Sequence, residues 1–253
     1  MHDPKITIEG GTVTIENPQG NHWYYSPKDG RAMPSVTTIT DLYPKGIGFR
    51  TFLGNAESFE AAEKIKTDAG ERGTRVHNAC EDVLRGDTIS WEEYSLQNGV
   101  TLEKAINEWQ MITSFGVWAS EHKPTLLKNM IEVKVISEKH SYGGSFDFAC
   151  MIGDELHVVD IKTSKKIYDS YWLQLNAYHE AVVEMGMFKM DNPRKLSILR
   201  LGSRHKCGYE FATNDPNDED FISFLACKQL WHMDNPTIKG PRIIEMPSEV
   251  KMP

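Results

Sequence analysis

Two acidic residues and one lysine are spaced in a way that could build a metal-dependent hydrolytic site. Asp147 precedes Asp160 by thirteen residues, and Lys162 follows Asp160 by two. Alternate side chains of a strand share a face, so Asp160 and Lys162 are expected to point the same way. If Asp147 lies on a neighbouring antiparallel strand, it comes to rest beside Asp160, with Phe146 and Phe148 together on the opposite face.

Such a pair of acids has a defined chemistry. Two carboxylates held within a few Å resist joint ionisation unless a cation lies between them. Oxygen-rich sites of this kind suit Mg²⁺ or Mn²⁺ rather than zinc. A bound divalent ion lowers the pKa of a water and neutralises charge on a phosphate under attack, and Lys162 could orient that water or stabilise the developing charge. The pattern also fits two surface acids and a solvated lysine on an exposed sheet face.

Strand and helix patterns around these residues predict an α/β (α+β) fold, in which helices flank a central mixed β-sheet and a β-hairpin extends the N-terminus. Strands are expected at Lys5–Glu9 and Thr12–Glu16 around Gly10-Gly11, and at His22–Tyr25, Ile131–Ser137, Ser145–Met151, Glu155–Thr163, Leu196–Leu201 and Tyr209–Thr213. Helices are expected at Ala56–Arg85, interrupted near Gly70 and Gly73, after a Thr101 cap to about Glu121, at Ser170–Gly186 and at Phe221–Met233.

Four blocks of sequence together resemble one nuclease family. The block Gly143–Lys162 resembles the core of the PD-(D/E)XK superfamily in its RecB-like branch, which includes Cas4-type, phage and mitochondrial genome-maintenance exonucleases. Arg72-Gly73-Thr74-Arg75-Val76-His77 resembles a helix motif of that branch, and Glu132 matches an acidic position. Gln174 and Tyr178 match its Gln-x-x-x-Tyr motif. The order of the blocks is more specific than any one of them, although phenylalanine replaces proline before the first acid.

The resemblance implies a restriction-endonuclease-like core with a defined set of site residues. The implied ligands of a Mg²⁺ or Mn²⁺ ion are His77, Asp147, Asp160 and the backbone carbonyl of Ile161. Lys162 is the implied catalytic lysine, and Glu132 is implied to reach the metal through water or to fix Lys162 and the attacking water. Gln174 and Tyr178, one helical turn apart, would brace Lys162 or touch the DNA backbone. An ordinary half-buried helix histidine is the alternative for His77.

Four further residues are candidates for contact with DNA. The segment Pro34-Ser35-Val36-Thr37 resembles one that lies beside the DNA path in phage and mitochondrial exonucleases. Hydroxyl groups of Ser35 and Thr37 could bond phosphates, and Arg72 and Arg75 are close enough in sequence to His77 to do the same. The alternative for the first pair is a β-branched strand followed by a Ser/Thr helix cap.

Bulk composition limits the other possibilities. A formal net charge of −8 does not indicate a tight, non-specific DNA binder, although a whole-chain sum hides local patches. Four isolated cysteines without a Cys-x-x-Cys pair disfavour zinc or an iron–sulfur cluster and suit a reducing cytoplasm. No apolar run is long enough for a membrane helix. One domain is expected, with an N-terminal hairpin and DNA-path segment (1–55), a catalytic core (56–213) and a C-terminal helix and tail (214–253).

The sequence therefore predicts a Mg²⁺- or Mn²⁺-dependent DNA exonuclease acting on single strands or DNA ends. Phage or bacterial recombination, repair or DNA processing in the cytoplasm is the expected setting, with recombination or replication proteins as possible partners besides DNA. Two alternatives stay open. One is a structure-specific endonuclease on the same core, and the other is a catalytically silent nucleic-acid-binding module that keeps the fold.

Overall fold

The computed structural model describes residues 5–9, 12–17, 23–188, 194–202, 208–236 and 242–249. The strands in these ranges are β1 (Lys5–Glu9), β2 (Thr12–Asn17), β3 (Trp23–Tyr25), β4 (Ala32–Pro34), β5 (Thr125–Ser137), β6 (Tyr142–Ile152), β7 (Glu155–Lys162), β8 (Arg194–Leu201), β9 (Tyr209–Asn214) and β10 (Arg242–Pro247). The helices are α1 (Val36–Thr40), α2 (Ile47–Asn55), α3 (Phe59–Arg85), α4 (Trp91–Asn98), α5 (Leu102–His122), α6 (Asp169–Glu184) and α7 (Asp218–Asp234).

A mixed sheet of five strands positions the residues of interest. Its order is β5-β6-β7-β8-β9. Neighbouring strands are antiparallel except for β7 and β8, which run parallel. Parallel neighbours need a crossover rather than a tight turn, and α6 lies in that connection. The predicted mixed sheet flanked by helices is confirmed, including the antiparallel pair formed by β8 and β9.

Each face of this sheet is covered by helices, which gives two apolar layers. The layer toward α1, α6 and α7 contains buried side chains such as Val36, Phe146, Val158, Leu175, Ile198 and Phe224. The layer toward α3 and α5 contains Val76, Phe115, Trp118, Phe148, Val159 and Ile161. Removing this apolar surface from water is the main force holding the helices to the sheet. β7 therefore carries apolar side chains into both layers.

Helix α3 is continuous over 27 residues, so the predicted interruption near Gly70 and Gly73 is wrong. An interior glycine costs a helix about 1 kcal/mol relative to alanine. Burial of Val76, Ala79 and Cys80 against the sheet and α5 offsets that local cost. Despite its length, α3 is too polar to cross a membrane, and no other helix in the described ranges could cross one.

Side-chain alternation is broken where β5 and β6 approach the site. Ile131 pairs with Phe148 in the α3–α5 layer, whereas Val133 pairs with Phe146 in the opposite layer. Glu132, between the two β5 residues, has a φ of 53°, a left-handed conformation that is uncommon for residues other than glycine. The prediction that Phe146 and Phe148 share a face is therefore wrong, because the backbone reverses its facing between them.

The N-terminal hairpin is confirmed, but its third strand comes from elsewhere. β1 pairs with β2, and β10 pairs with the other edge of β2. The segment expected to extend the hairpin forms β3, which instead pairs with β4 in a separate two-stranded sheet. The predicted turn at Gly10-Gly11 and the predicted strand residue His22 lie outside the described residues.

Candidate active site

The structure brings together His77 of α3, Asp147 from the middle of β6, and Asp160 and Lys162 from the C-terminal end of β7. His77 Nδ1 lies 3.1 Å from Asp147 Oδ1. The other carboxylate oxygen of Asp147 accepts a hydrogen bond from the backbone N–H of Ile161. The Lys162 ammonium forms an ion pair with Asp160 Oδ2. Four side chains from three elements, separated by up to 85 positions in sequence, thus share one polar centre inside the fold.

Gln174 and Tyr178 on α6 close this centre from the other side. Lys162 Nζ donates to Gln174 Oε1 at 3.2 Å. Gln174 Nε2 lies 3.3 Å from Asp160 Oδ1 and 2.7 Å from the Tyr178 hydroxyl oxygen. All four hydrogen-bonding groups are largely buried, so they constrain one another strongly. One carboxamide therefore fixes the separation of the lysine and the acid beside it.

The pKa values of the two buried carboxyl groups are shifted in opposite directions. Burial raises the pKa of Asp160 above its ordinary value despite the opposing charge of Lys162, and Asp147 adds to the rise. Burial, the largest single influence, acts on Asp147 in the same sense, but His77, Lys162 and the backbone N–H of Ile161 together outweigh it and hold the pKa of Asp147 below its ordinary value. Burial disfavours the cations of His77 and Lys162, yet the neighbouring carboxylates raise the pKa of both. Perturbed pKa values in one buried cluster are typical of functional sites.

The residues fit a hard divalent cation by their chemistry. Among the described residues, no group of three or more His, Cys, Asp or Glu side chains is arranged as a formed metal site. Two carboxylates beside a backbone carbonyl are nevertheless the oxygen ligands that Mg²⁺ and Mn²⁺ prefer. Asp160 Oδ2 is buried and, although ion-paired with Lys162, receives no hydrogen bond from the part of the chain that the structure describes. An ion bound by that oxygen would compete with Lys162 for it.

The glycine pair before the first acid allows two aromatic rings to approach β6. A side chain at Gly143 would collide with the ring of Tyr24, and one at Gly144 would collide with the ring of Tyr178. The Gly-Gly pair is therefore required by packing at the site rather than by backbone conformation.

Glu132 lies at the edge of the centre and is exposed. Among the described contacts it forms no hydrogen bond or ion pair with Lys162. Its charge contributes, after burial, to the raised pKa of Glu81 and to that of Tyr24. Glu81 follows His77 by one helical turn and is paired with Arg85 at 3.0 Å. Glu132 thus faces the acidic side of the site without touching the lysine.

The serine and threonine suggested for DNA contact cap a helix. Ser35 is 2% exposed and is the N-cap of α1, where its hydroxyl accepts from the backbone N–H of Thr38 at 3.0 Å. Its Oγ also lies 2.9 Å from Thr37 Oγ1. The geometry favours the helix-cap alternative for Ser35, because a buried, bonded hydroxyl is not accessible to a phosphate. Thr37 is exposed.

The two arginines suggested for DNA contact also have partners within the protein. Arg75 forms a two-pronged hydrogen bond with Glu108, at 3.0 Å from Nε and 2.7 Å from Nη2. Arg72 reaches across to the end of β7 and donates to the backbone carbonyl of Thr163 at 3.2 Å. Arg75 therefore joins α3 to α5, which does not support a role in phosphate contact. Arg72 ties α3 to the segment that follows Lys162.

One neighbour of Lys162 was missed by the sequence reasoning. The Lys162 ammonium lies 4.8 Å from the centre of the Tyr171 ring, a cation–π distance. Tyr171 precedes Gln174 by three positions and Tyr178 by seven, so the three residues lie along one face of α6. This spacing could have identified Tyr171 once the Gln-x-x-x-Tyr motif was assigned to a helix.

Comparison with known proteins gives distant structural similarity only. No protein-family model and no curated protein matches the sequence. A candidate exonuclease from Eubacterium rectale has a TM-score of 0.45 at 12% identity, covering 82% of this chain and 83% of its own. The alkaline exonuclease LHK-Exo from Laribacter hongkongensis has a TM-score of 0.37 at 12% identity, with 81% and 95% covered. The protein SSO0001 has a TM-score of 0.32 at 12% identity, with 66% and 87% covered. Identities this low do not transfer an activity to this chain.

Proposed function

We propose that this chain is a DNA nuclease that hydrolyses phosphodiester bonds with the help of a bound Mg²⁺ or Mn²⁺ ion. The convergence of Asp147, Asp160, His77 and Lys162 in one buried centre is the observation that carries the proposal. Burying two acids side by side costs stability, and a need to hold a cation at that point explains why the fold accepts the cost. Single-stranded DNA or DNA ends are the proposed substrate, following the motif blocks that resemble exonucleases.

The proposed ligands of the ion are His77, Asp147, Asp160 and the backbone carbonyl of Ile161. When bound, the ion would supply a water of lowered pKa and positive charge next to the phosphate. His77 and Asp147 already contact each other, so the chain presents an imidazole and a carboxylate from different elements to one position. The Ile161 N–H bond to Asp147 sets the orientation of that carboxylate.

Lys162 is the proposed catalytic lysine. Its ammonium would donate hydrogen bonds to the charge that develops on the phosphate, or orient the attacking water. Gln174 is a positioning residue, because it accepts from Lys162 and its amide faces Asp160. The Tyr178 hydroxyl in turn holds the Gln174 amide. Glu132, exposed at the edge, is proposed to act through a water rather than by direct contact.

We further propose a single-domain enzyme that works in the cytoplasm on recombining, repaired or otherwise processed DNA, with recombination or replication proteins as partners. Cys80, Cys150 and Cys227 are buried free thiols, which suits a reducing compartment. The remaining cysteine, Cys207, lies outside the described residues.

A digestion assay with three DNA substrates tests the proposal. Linear single-stranded DNA labelled at either end, the corresponding duplex, and a covalently closed single-stranded circle are incubated with the protein in Mg²⁺, Mn²⁺ or EDTA. We expect degradation of at least one linear substrate with either ion, no cleavage in EDTA, and an intact circle. Cleavage of the circle would establish the endonuclease alternative. Intact DNA in every lane with both ions, or undiminished cleavage in EDTA, would contradict the proposal.

A further inference from the structure

An aromatic pair extends from the candidate active site to the surface at the start of α6. Tyr171 lies under the Lys162 ammonium, and the rings of Tyr168 and Tyr171 are 5.5 Å apart and nearly perpendicular, at 87°. Tyr168 is 42% exposed. Its side chain makes no capping hydrogen bond to α6, although it is the N-cap residue. The pair thus connects the buried lysine with an accessible ring.

The segment that carries Tyr168 is held on both sides by arginine side chains. Arg72 donates to the carbonyl of Thr163, and Arg200 Nη1 donates to the carbonyl of Lys165 at 3.2 Å. Arg200 is itself fixed by a fork to Glu210 at 2.8 and 2.7 Å. The segment between Lys162 and α6 is therefore anchored through its backbone, so the ring of Tyr168 is presented at a set place.

One lysine contacts the exposed ring, and a second precedes it in the sequence. Lys166 Nζ is 5.1 Å from the centre of the Tyr168 ring, and both Lys165 and Lys166 are exposed. An exposed aromatic ring beside cations is the combination that binds single-stranded nucleic acid, because bases stack on the ring and phosphates meet the cations. The two exposed lysines make this part of the surface locally positive, although the chain as a whole has a formal net charge of −8.

We propose that Tyr168, supported by Tyr171, stacks on an unpaired base of the substrate strand, with Lys165 and Lys166 contacting its phosphates. The two ring distances place the centre of the Tyr168 ring no more than about 10 Å from Lys162 Nζ, which is about three base rises along a stacked strand. A base within a few nucleotides of the cleaved phosphate would therefore meet this ring. The inference rests on the proposed function for its substrate and makes that substrate a single strand, because duplex bases have their faces covered by their neighbours.

A double-mutant-type cycle tests the stacking directly, because it combines removal of the Tyr168 ring from the protein with removal of bases from the bound strand. The probe is a fluorescent single-stranded oligodeoxynucleotide of ~12 nucleotides, titrated in Ca²⁺ so that binding is measured without cleavage. Wild type and Tyr168→Ala are each titrated with the intact probe and with one lacking bases at central positions. Tyr168→Phe keeps the ring. Phe59→Ala, which removes a 71% exposed ring at the far end of α3, is the matched control.

We expect Tyr168→Ala to raise the Kd for the intact probe about tenfold. Removing the central bases of the probe should raise the Kd of the wild-type protein to a similar extent. Tyr168→Ala titrated with the probe that lacks these bases should show no larger a rise in Kd than either change alone. Tyr168→Phe and Phe59→Ala should bind like wild type. An unchanged Kd for Tyr168→Ala would overturn the proposed stacking of Tyr168 on a base. Losses of affinity that multiply when the two changes are combined would overturn it as well.

The outcomes also separate this inference from the nuclease proposal. If the wild-type protein cleaves DNA while Tyr168→Ala binds the probe with an unchanged Kd, only the proposed stacking at Tyr168 is contradicted. If the titrations give the Kd changes expected for stacking but the protein cleaves no DNA, the stacking at Tyr168 is supported and the nuclease proposal is contradicted.

Discussion

Replacing Lys162 with methionine should lower the rate of DNA cleavage by about 10³-fold, because it removes the proposed charge from the reaction centre. Methionine keeps the aliphatic stem, and Gln174 and Asp160 retain each other as partners. The folded structure should therefore persist. The rate is measured under single-turnover conditions in Mg²⁺, and circular dichroism verifies the fold.

Lys195→Met is the matched control for this substitution. Lys195 lies on the adjacent strand β8 and is also paired with acids, at 2.8 Å from Asp215 and 3.4 Å from Glu155. It is remote from the proposed ligands along the strand, so its loss should leave the cleavage rate unchanged. Equal activity of Lys162→Met and wild type would exclude Lys162 as the catalytic lysine.

Removing the Glu108 carboxylate should lower the free energy of unfolding by about 3 kcal/mol. Glu108 is 1% exposed, holds both prongs of Arg75 and accepts a hydrogen bond from the Tyr94 hydroxyl at 2.6 Å. In Glu108→Ala, the Tyr94 hydroxyl and the Arg75 guanidinium, which is 18% exposed in the wild-type protein, both lose their bonds to Glu108, and Arg75 keeps only the longer contact with Glu71. Chemical denaturation measures the change.

Glu71 provides the comparison, because it also pairs with Arg75. Its carboxylate lies 3.8 Å from the guanidinium, but the side chain is 60% exposed. Glu71→Ala should therefore change stability by less than about 0.5 kcal/mol. Similar losses from the two alanine variants would mean that burial of Glu108 adds nothing to the link between α3 and α5.

Local sequence patterns predict the central sheet well. Strand periodicity located β6 and β7, and the spacing of Asp147, Asp160 and Lys162 predicted their meeting. The continuity of α3 could not be predicted from the local sequence. The low helix propensity of glycine predicts a break at Gly70 and Gly73, whereas burial of α3 against the rest of the fold stabilises an unbroken helix. Helices α2 and α4 and the strand β10 were also missed. Nothing in the sequence marks β10 as the partner of β2.

The details of the site depend on long-range contacts and a backbone conformation that local sequence patterns do not predict. The left-handed backbone at Glu132 reverses the facing of β5, and a glutamate carries no local signal for that conformation. Arg75 was assigned to phosphate by its closeness to His77 in sequence. Its partner Glu108 is 33 residues away, on a helix whose packing angle the sequence does not specify.

The binding of a divalent ion between the two acids is the central claim, and a crystal soaked in Mn²⁺ tests it most directly. We expect an anomalous difference peak about 2.2 Å from carboxylate oxygens of both Asp147 and Asp160, with His77 adjacent and Lys162 Nζ displaced from Asp160. The peak should be absent from crystals of Asp160→Asn. A fully soaked wild-type crystal without a peak at these acids, and with Lys162 still paired to Asp160, would contradict the account.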